Sequence, residues 1–104
     1  MLSHIVILNT SIVRNAIANK DIIEFTYQGY LRIAEPHIYG IHNGKRQLLV
    51  YQIGGGSSSG RIPDWRRMDL NGISGFKLTG EKFAGSRPNP TGEQATFDTV
   101  IAAI

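Results

Sequence analysis

The sequence predicts a small, mostly β domain: a short N-terminal helix packed on an antiparallel, partly open β-barrel. Three observations carry this prediction. The hydrophobic period changes from helical to alternating at Asp21. The dipeptides Gln28-Gly29, Asn43-Gly44 and Asn71-Gly72 then punctuate the chain as tight turns between apolar runs. Finally, 104 residues suffice for one modest core and not for two, so residues 1–104 form a single domain.

The helix is expected over about residues 10–20. Asn9, Thr10 and Ser11 are N-cap candidates, and Ile12/Ala16 and Val13/Ile17 repeat at i, i+4 while Arg14, Asn15, Asn19 and Lys20 fall elsewhere. Lys20 then sits favourably near the helix C-terminus. Two turns are marginal alone in water, so the helix must dock.

Barrel strands are expected over about residues 22–79. Ile23, Phe25 and Tyr27 alternate with Glu24, Thr26 and Gln28, the pattern of a half-buried strand. After Gln28-Gly29, Leu31 and Ile33 lead into the second strand, with Arg32 on the opposite side. Pro36 donates nothing to a ladder and marks a sheet edge or a bend. The runs Ile38–Ile41 and Leu48–Tyr51 flank Asn43-Gly44 as a hairpin. Gly54-Gly-Gly-Ser-Ser-Ser-Gly60 reads as a flexible loop and not as a domain boundary. Trp65 to Leu70 returns as a strand, and Ile73 to Leu78 is the last short one. Residues 84–93, with Arg87-Pro88 and Pro90, are an extended linker. The apolar segment 94–104 is a helix or a strand, with a helix docked on the barrel preferred.

Composition narrows the function classes. An apolar fraction of 41% with 18% charged residues is that of a globular chain. The absence of cysteine excludes disulfide scaffolds and thiolate zinc sites, and fits a reducing cytoplasm. The apolar run in Met1–Leu8 has no Lys or Arg before it and no small-residue cleavage site, unlike a signal peptide. No stretch approaches the roughly 18 apolar residues that span a bilayer, so a cytoplasmic protein without membrane contact is expected. The net charge of +3 is uneven: residues 32–87 hold nine Lys/Arg against four acids. A basic β-rich centre attracts anions, and a solvated mixed-charge surface is the plainer alternative.

No catalytic constellation appears. The glycine–serine loop lacks the lysine and the following helix of a phosphate loop, and Pro63 follows it. Alternation places His37 and His42 on opposite faces, unlike a paired metal site, and His4 is distant. No serine sits in Gly-x-Ser-x-Gly, and the acids are scattered. The chain is therefore expected not to be an enzyme and to need no cofactor or metal. The one functional group is basic and aromatic: Arg32, Arg66 and Arg67 with Tyr27, Tyr51 and Trp65. Arginine forks grip phosphates and aromatic faces stack bases, so these six are the candidate ligand-binding residues. The plainer reading makes Tyr51 and Trp65 core, with the arginines solvated outside.

From about Ile12 to Phe83 the ordering resembles the WYL domain family of bacterial ligand-sensing modules. The likeness rests on the leading helix, the Ile23-Glu-Phe-Thr-Tyr27 strand, Arg32-x-x-x-Pro36, Leu48-Leu-Val-Tyr51, and Trp65-Arg-Arg67 followed by Ile73 and Phe83. Short stand-alone members are more similar still, through Glu35-Pro-His37, Tyr39-Gly40, Tyr51-Gln52, Gly54-Gly55, Ser57, Trp65-Arg66 and Arg87-Pro88. At the triplet that names the family the chain has Arg46-Gln47-Leu48, keeping only the leucine. The resemblance implies an Sm-like barrel of the Src-homology-3 type. It also implies a regulatory module that binds nucleotides or single-stranded nucleic acid. The expectation is thus a non-catalytic module for an anionic ligand of that kind, with a protein–protein interaction module as the alternative. The apolar Val100–Ile104 tail and open barrel edges point to a homodimer.

Overall fold

The Asn9 side chain accepts a hydrogen bond from the Ser11 amide at 2.8 Å and opens α1 (Thr10–Ala18). The computed structural model describes residues 9–88 and 96–104, so the apolar run before Asn9 and residues 89–95 lie outside the described residues. Six strands follow: β1 (Asp21–Tyr27), β2 (Tyr30–His42), β3 (Lys45–Gly55), β4 (Asp64–Asp69), β5 (Ser74–Lys82) and β6 (Thr99–Ala103). The fold is mostly β, one short helix on an antiparallel sheet that is not closed.

The helix is shorter than its apolar spacing suggested. It ends at Ala18 with Asn19 as C-cap, and Lys20 adopts φ 55°, the left-handed conformation that commonly terminates helices. Lys20 is therefore past the last turn, and its carbonyl accepts from the Phe83 amide at 3.0 Å. Val13, Ala16 and Ile17 are the buried stripe and pack with Ile23, Phe25, Ala34, Tyr39, Leu48, Val50 and Met68 in one core.

Sheet order is β4-β3-β2-β1-β5, with β6 added against the far half of β2. Both two-residue turns, Gln28-Gly29 and Asn43-Gly44, have positive φ at both positions, as the type I′ hairpin requires. The 13-residue β2 organises the rest. Its first half pairs with β1, from Ile23↔Ala34 to Tyr27↔Tyr30, and its second half pairs with β6, from Ile38↔Ala103 to Ile41↔Thr99. Pro36 lies at the changeover, where the β2–β3 register slips between Pro36 and Ile38. A residue without an amide proton fits there, between the last β1 pair at Ala34 and the first β6 pair at Ile38, where the ladder on that side of β2 is interrupted.

Two expectations are corrected. The C-terminal segment is not a docked helix but β6, because Thr99-Val100-Ile101 is β-branched and β2 offers it an open edge. The last expected strand runs on beyond Leu78 to Lys82, held by β1 pairs out to Asp21↔Lys82. The described part of the expected linker, residues 84–88, crosses the sheet's outer face and delivers Arg87 to β2.

Candidate functional site

Strand alternation sorts the six candidate residues onto two faces of one sheet. On β4, Trp65 pairs with Tyr51 and Arg67 with Leu49, whereas Arg66 pairs with Val50 on the core side. Tyr27, Arg32 and Arg66 therefore gather at one place, and Tyr51 and Trp65 at another. The six candidate ligand-binding residues therefore do not meet on one surface, since successive side chains of a strand cannot share a face.

The first group is built around Arg32, which is only 3% exposed. Its Nη1 donates to Gln52 Oε1 at 3.2 Å and its Nη2 to the Tyr27 carbonyl at 3.2 Å. Its guanidinium carbon lies 5.4 Å from the Tyr27 ring centroid and 5.6 Å from that of Tyr30. Gln52, fully buried, also donates to the carbonyls of Gly54 and Gly56, so one amide ties Arg32 to the glycine loop. The end of β3 that leads into this loop passes very close: a Cβ on Gly55, which pairs with Arg32 and has φ +81°, would meet the Leu31 carbonyl oxygen at 2.1 Å. Arg66 reaches the same loop, its Nη2 donating to Ser57 Oγ at 2.9 Å, Ser59 Oγ at 2.8 Å and the Arg61 carbonyl. Burial lowers the Arg32 pKa, and the Arg66 charge lowers it further. Among the described residues no carboxylate pairs with either arginine, and the Nε of each is buried without a hydrogen-bond partner. Two neighbouring cations thus share a polar, glycine-lined corner with no carboxylate among the described residues to neutralise them.

On the outer face the composition reverses. Glu35 is 2% exposed and accepts from Arg87 through both oxygens, Nε to Oε1 and Nη2 to Oε2, each at 2.7 Å. His37 Nε2 lies 3.4 Å from Glu35 Oε1. The His37 ring stands edge-on to Trp65 at 4.8 Å and stacks on Phe83 at 5.2 Å. Tyr51 is edge-on to Trp65 at 5.2 Å and carries the Arg87 guanidinium 4.5 Å above its ring centroid. Burial alone pushes the Glu35 carboxyl up. The Arg87 hydrogen bonds, and then that of His37, outweigh burial and hold the carboxyl below the usual range. Burial holds the His37 imidazole below its ordinary value against the pull of Glu35. The Glu35 bonds raise Arg87. Depressions of about 190 and 180 Å³ flank residues 84–88, one beside Glu35, Gly85 and Pro88, the other beside His37, Leu49, Trp65 and Ile104.

Arg67 belongs to neither centre. Its Nη1 donates to Gln47 Oε1 at 3.0 Å and its Nη2 to the Thr96 carbonyl at 2.8 Å, while the guanidinium covers Phe97 at 4.3 Å. It buttresses the approach to β6. The register slip beside Pro36 interrupts the alternation that would have put His37 and His42 on opposite faces. What separates them is distance along β2, since His42 lies 4.0 Å from Asp98 at the far end. No three His, Cys, Asp or Glu side chains gather as a metal site among the described residues, and no described helix is long and apolar enough to cross a membrane. In the sequence Glu35 and Arg87 stand out only within the family-like strings Glu35-Pro-His37 and Arg87-Pro88, and His37 also as a candidate metal ligand, with nothing to join the three. Their meeting, 52 residues apart, is a tertiary event. Comparison with protein-family models, with curated protein sequences and with solved structures gave no match to this chain.

Proposed function

We propose that the protein is a non-catalytic, regulatory binding module for an anionic ligand, a nucleotide or a short single-stranded nucleic acid. The observation that carries this reading is the Arg32–Arg66 pair, which has two buried, unpartnered Nε donors and no carboxylate among the described residues. A buried guanidinium is ordinarily paired with a carboxylate, because desolvating a lone charge is costly. A phosphate oxygen entering this corner supplies the missing acceptor and the missing negative charge together. The Ser57 and Ser59 hydroxyls, already on Arg66, add polar contacts on the loop side. Tyr30, 40% exposed beside Arg32, offers a ring on which a base stacks. The basic balance of residues 32–87 favours the same class of ligand.

The test is calorimetric titration with a short oligothymidylate and with a nucleoside monophosphate at low salt. Binding is expected to weaken in Arg32→Gln and Arg66→Ala, with each substitution reducing the slope of log affinity against log salt by about 1. Trp65 lies on the other face, so its fluorescence is not the readout. Absence of binding at low salt, or variants that bind like the parent chain, would overturn the reading.

A further inference from the structure

Glu35 lies at a depth where an ionised carboxylate must be met by a cation, and the chain meets it with an arginine. The surroundings are those of a guanidinium receptor. The carboxylate takes the fork through two parallel 2.7 Å bonds, Tyr51 lies under the flat face of the cation, and Trp65 and the imidazole of His37 complete the wall. The occupant arrives on a loosely held segment. Phe83 is anchored through its amide to Lys20, but between Ala84 and Pro88 no main-chain group hydrogen-bonds another described residue. The Arg87 side chain remains 41% exposed, so its head is reachable from outside.

We infer that this cage is a docking site for an arginine side chain presented on an extended segment of another polypeptide, with Arg87 as its resident occupant in cis. Charge complementarity selects the partner: one buried negative charge, shaped for a fork, prefers guanidinium to ammonium. The depression walled by His37, Leu49, Trp65 and Ile104 supplies a contact surface that does not leave with the resident segment. An arginine in cis enjoys an effective concentration in the millimolar range, so a partner displaces it only by adding contacts on either side of its own arginine. Pro88 restricts Arg87 itself to extended backbone, between bends at Gly85 and Pro88, and an Arg-Pro segment of a partner presents its arginine in the same way.

The experiment empties the cage and offers it a substitute. Arg87→Ala is expected to melt several degrees below the parent chain, and N-acetyl-Arg-Pro-amide at millimolar concentration is expected to restore much of that loss saturably. The lysine analogue restores less, and the Glu35→Gln/Arg87→Ala double variant responds to neither. Arg87→Lys keeps a cation opposite Glu35 while losing the fork, and the arginine peptide is expected to raise its melting temperature as well. If Arg87→Ala does not fold, the readout becomes peptide-dependent refolding, which is expected to be absent without Glu35. A folded Arg87→Ala that ignores the peptide overturns the inference. So does an unfolded one that the peptide does not refold, with Arg87→Lys equally silent.

Discussion

Gly40 tests how β6, whose end lines the cleft beside His37 and Trp65, is seated. Gly40 pairs with Val100, and a Cβ added there would lie 2.3 Å from the Thr99 carbonyl oxygen and 2.8 Å from a ring carbon of Phe97. The first obstacle is main chain and cannot swing aside like a flexible side chain, so Gly40→Ala forces β6 outward by about 1 Å to reach ordinary contact. Overpacking of this kind costs about 1–3 kcal/mol. Relief of glycine's extra unfolded-state entropy returns at most about 1 kcal/mol. The expected net loss is about 1–2 kcal/mol, which lowers the melting temperature of a chain this size by roughly 5–15 °C. Gly54→Ala is the matched control, since its Cβ would meet only the Ile33 side chain at 3.5 Å, an ordinary contact. Urea unfolding measures both variants, and amide exchange shows whether Val100 to Ala103 open first in Gly40→Ala. Equal effects of the two substitutions, or a Gly40→Ala chain as stable as its parent, would refute this account of the β2–β6 seam.

Acidification is expected to weaken the fold in two stages. Burial lowers His37 from 6.5 against the pull of Glu35 and with help from Arg87, so the unfolded chain binds the proton first and stability declines as pH falls below about 6.5. Glu35, despite its burial, is held below 4.5 by Arg87 and His37. Its contribution is therefore intact above that value and is lost as pH drops through the lowered one. Urea midpoints between pH 7 and 3 check both stages, and a flat profile from 7 to 5 contradicts the first. Gln52→Leu strands Arg32 Nη1 and frees the carbonyls of Gly54 and Gly56; a loss of about 2–3 kcal/mol with faster amide exchange in the glycine loop is expected, and unchanged exchange would dissociate Gln52 from that loop. Val100, Ile101 and Ile104 are 54%, 39% and 41% exposed, and burial of this strip in a homodimer predicts about twice 11.5 kDa by light scattering at micromolar concentration. A mass of 11.5 kDa would return the strip to solvent.

Local chemistry was decided by the sequence alone. Gln28-Gly29 and Asn43-Gly44 take positive φ at consecutive positions, so two hairpins were readable directly, whereas the third expected turn, Asn71-Gly72, lies in a 3-10 turn (Leu70–Gly72) between β4 and β5, which do not pair. The change of period at Asp21 likewise placed the helix before the sheet, because apolar spacing reports which face of an element meets the core. The conformation of residues 99–103 was not readable, since a short apolar β-branched run becomes a strand only if an edge is free to receive it, and β2 supplies that edge from far up the chain. Nor was the candidate site readable as a whole. Arg32, Arg66 and Tyr27 were recognisable as chemistry, yet neighbouring Trp65 and Arg66 part company because strand side chains alternate. Only the assembled sheet brings Arg87 to Glu35 across 52 residues, because the partner of a buried charge is chosen by topology and desolvation and not by any local pattern.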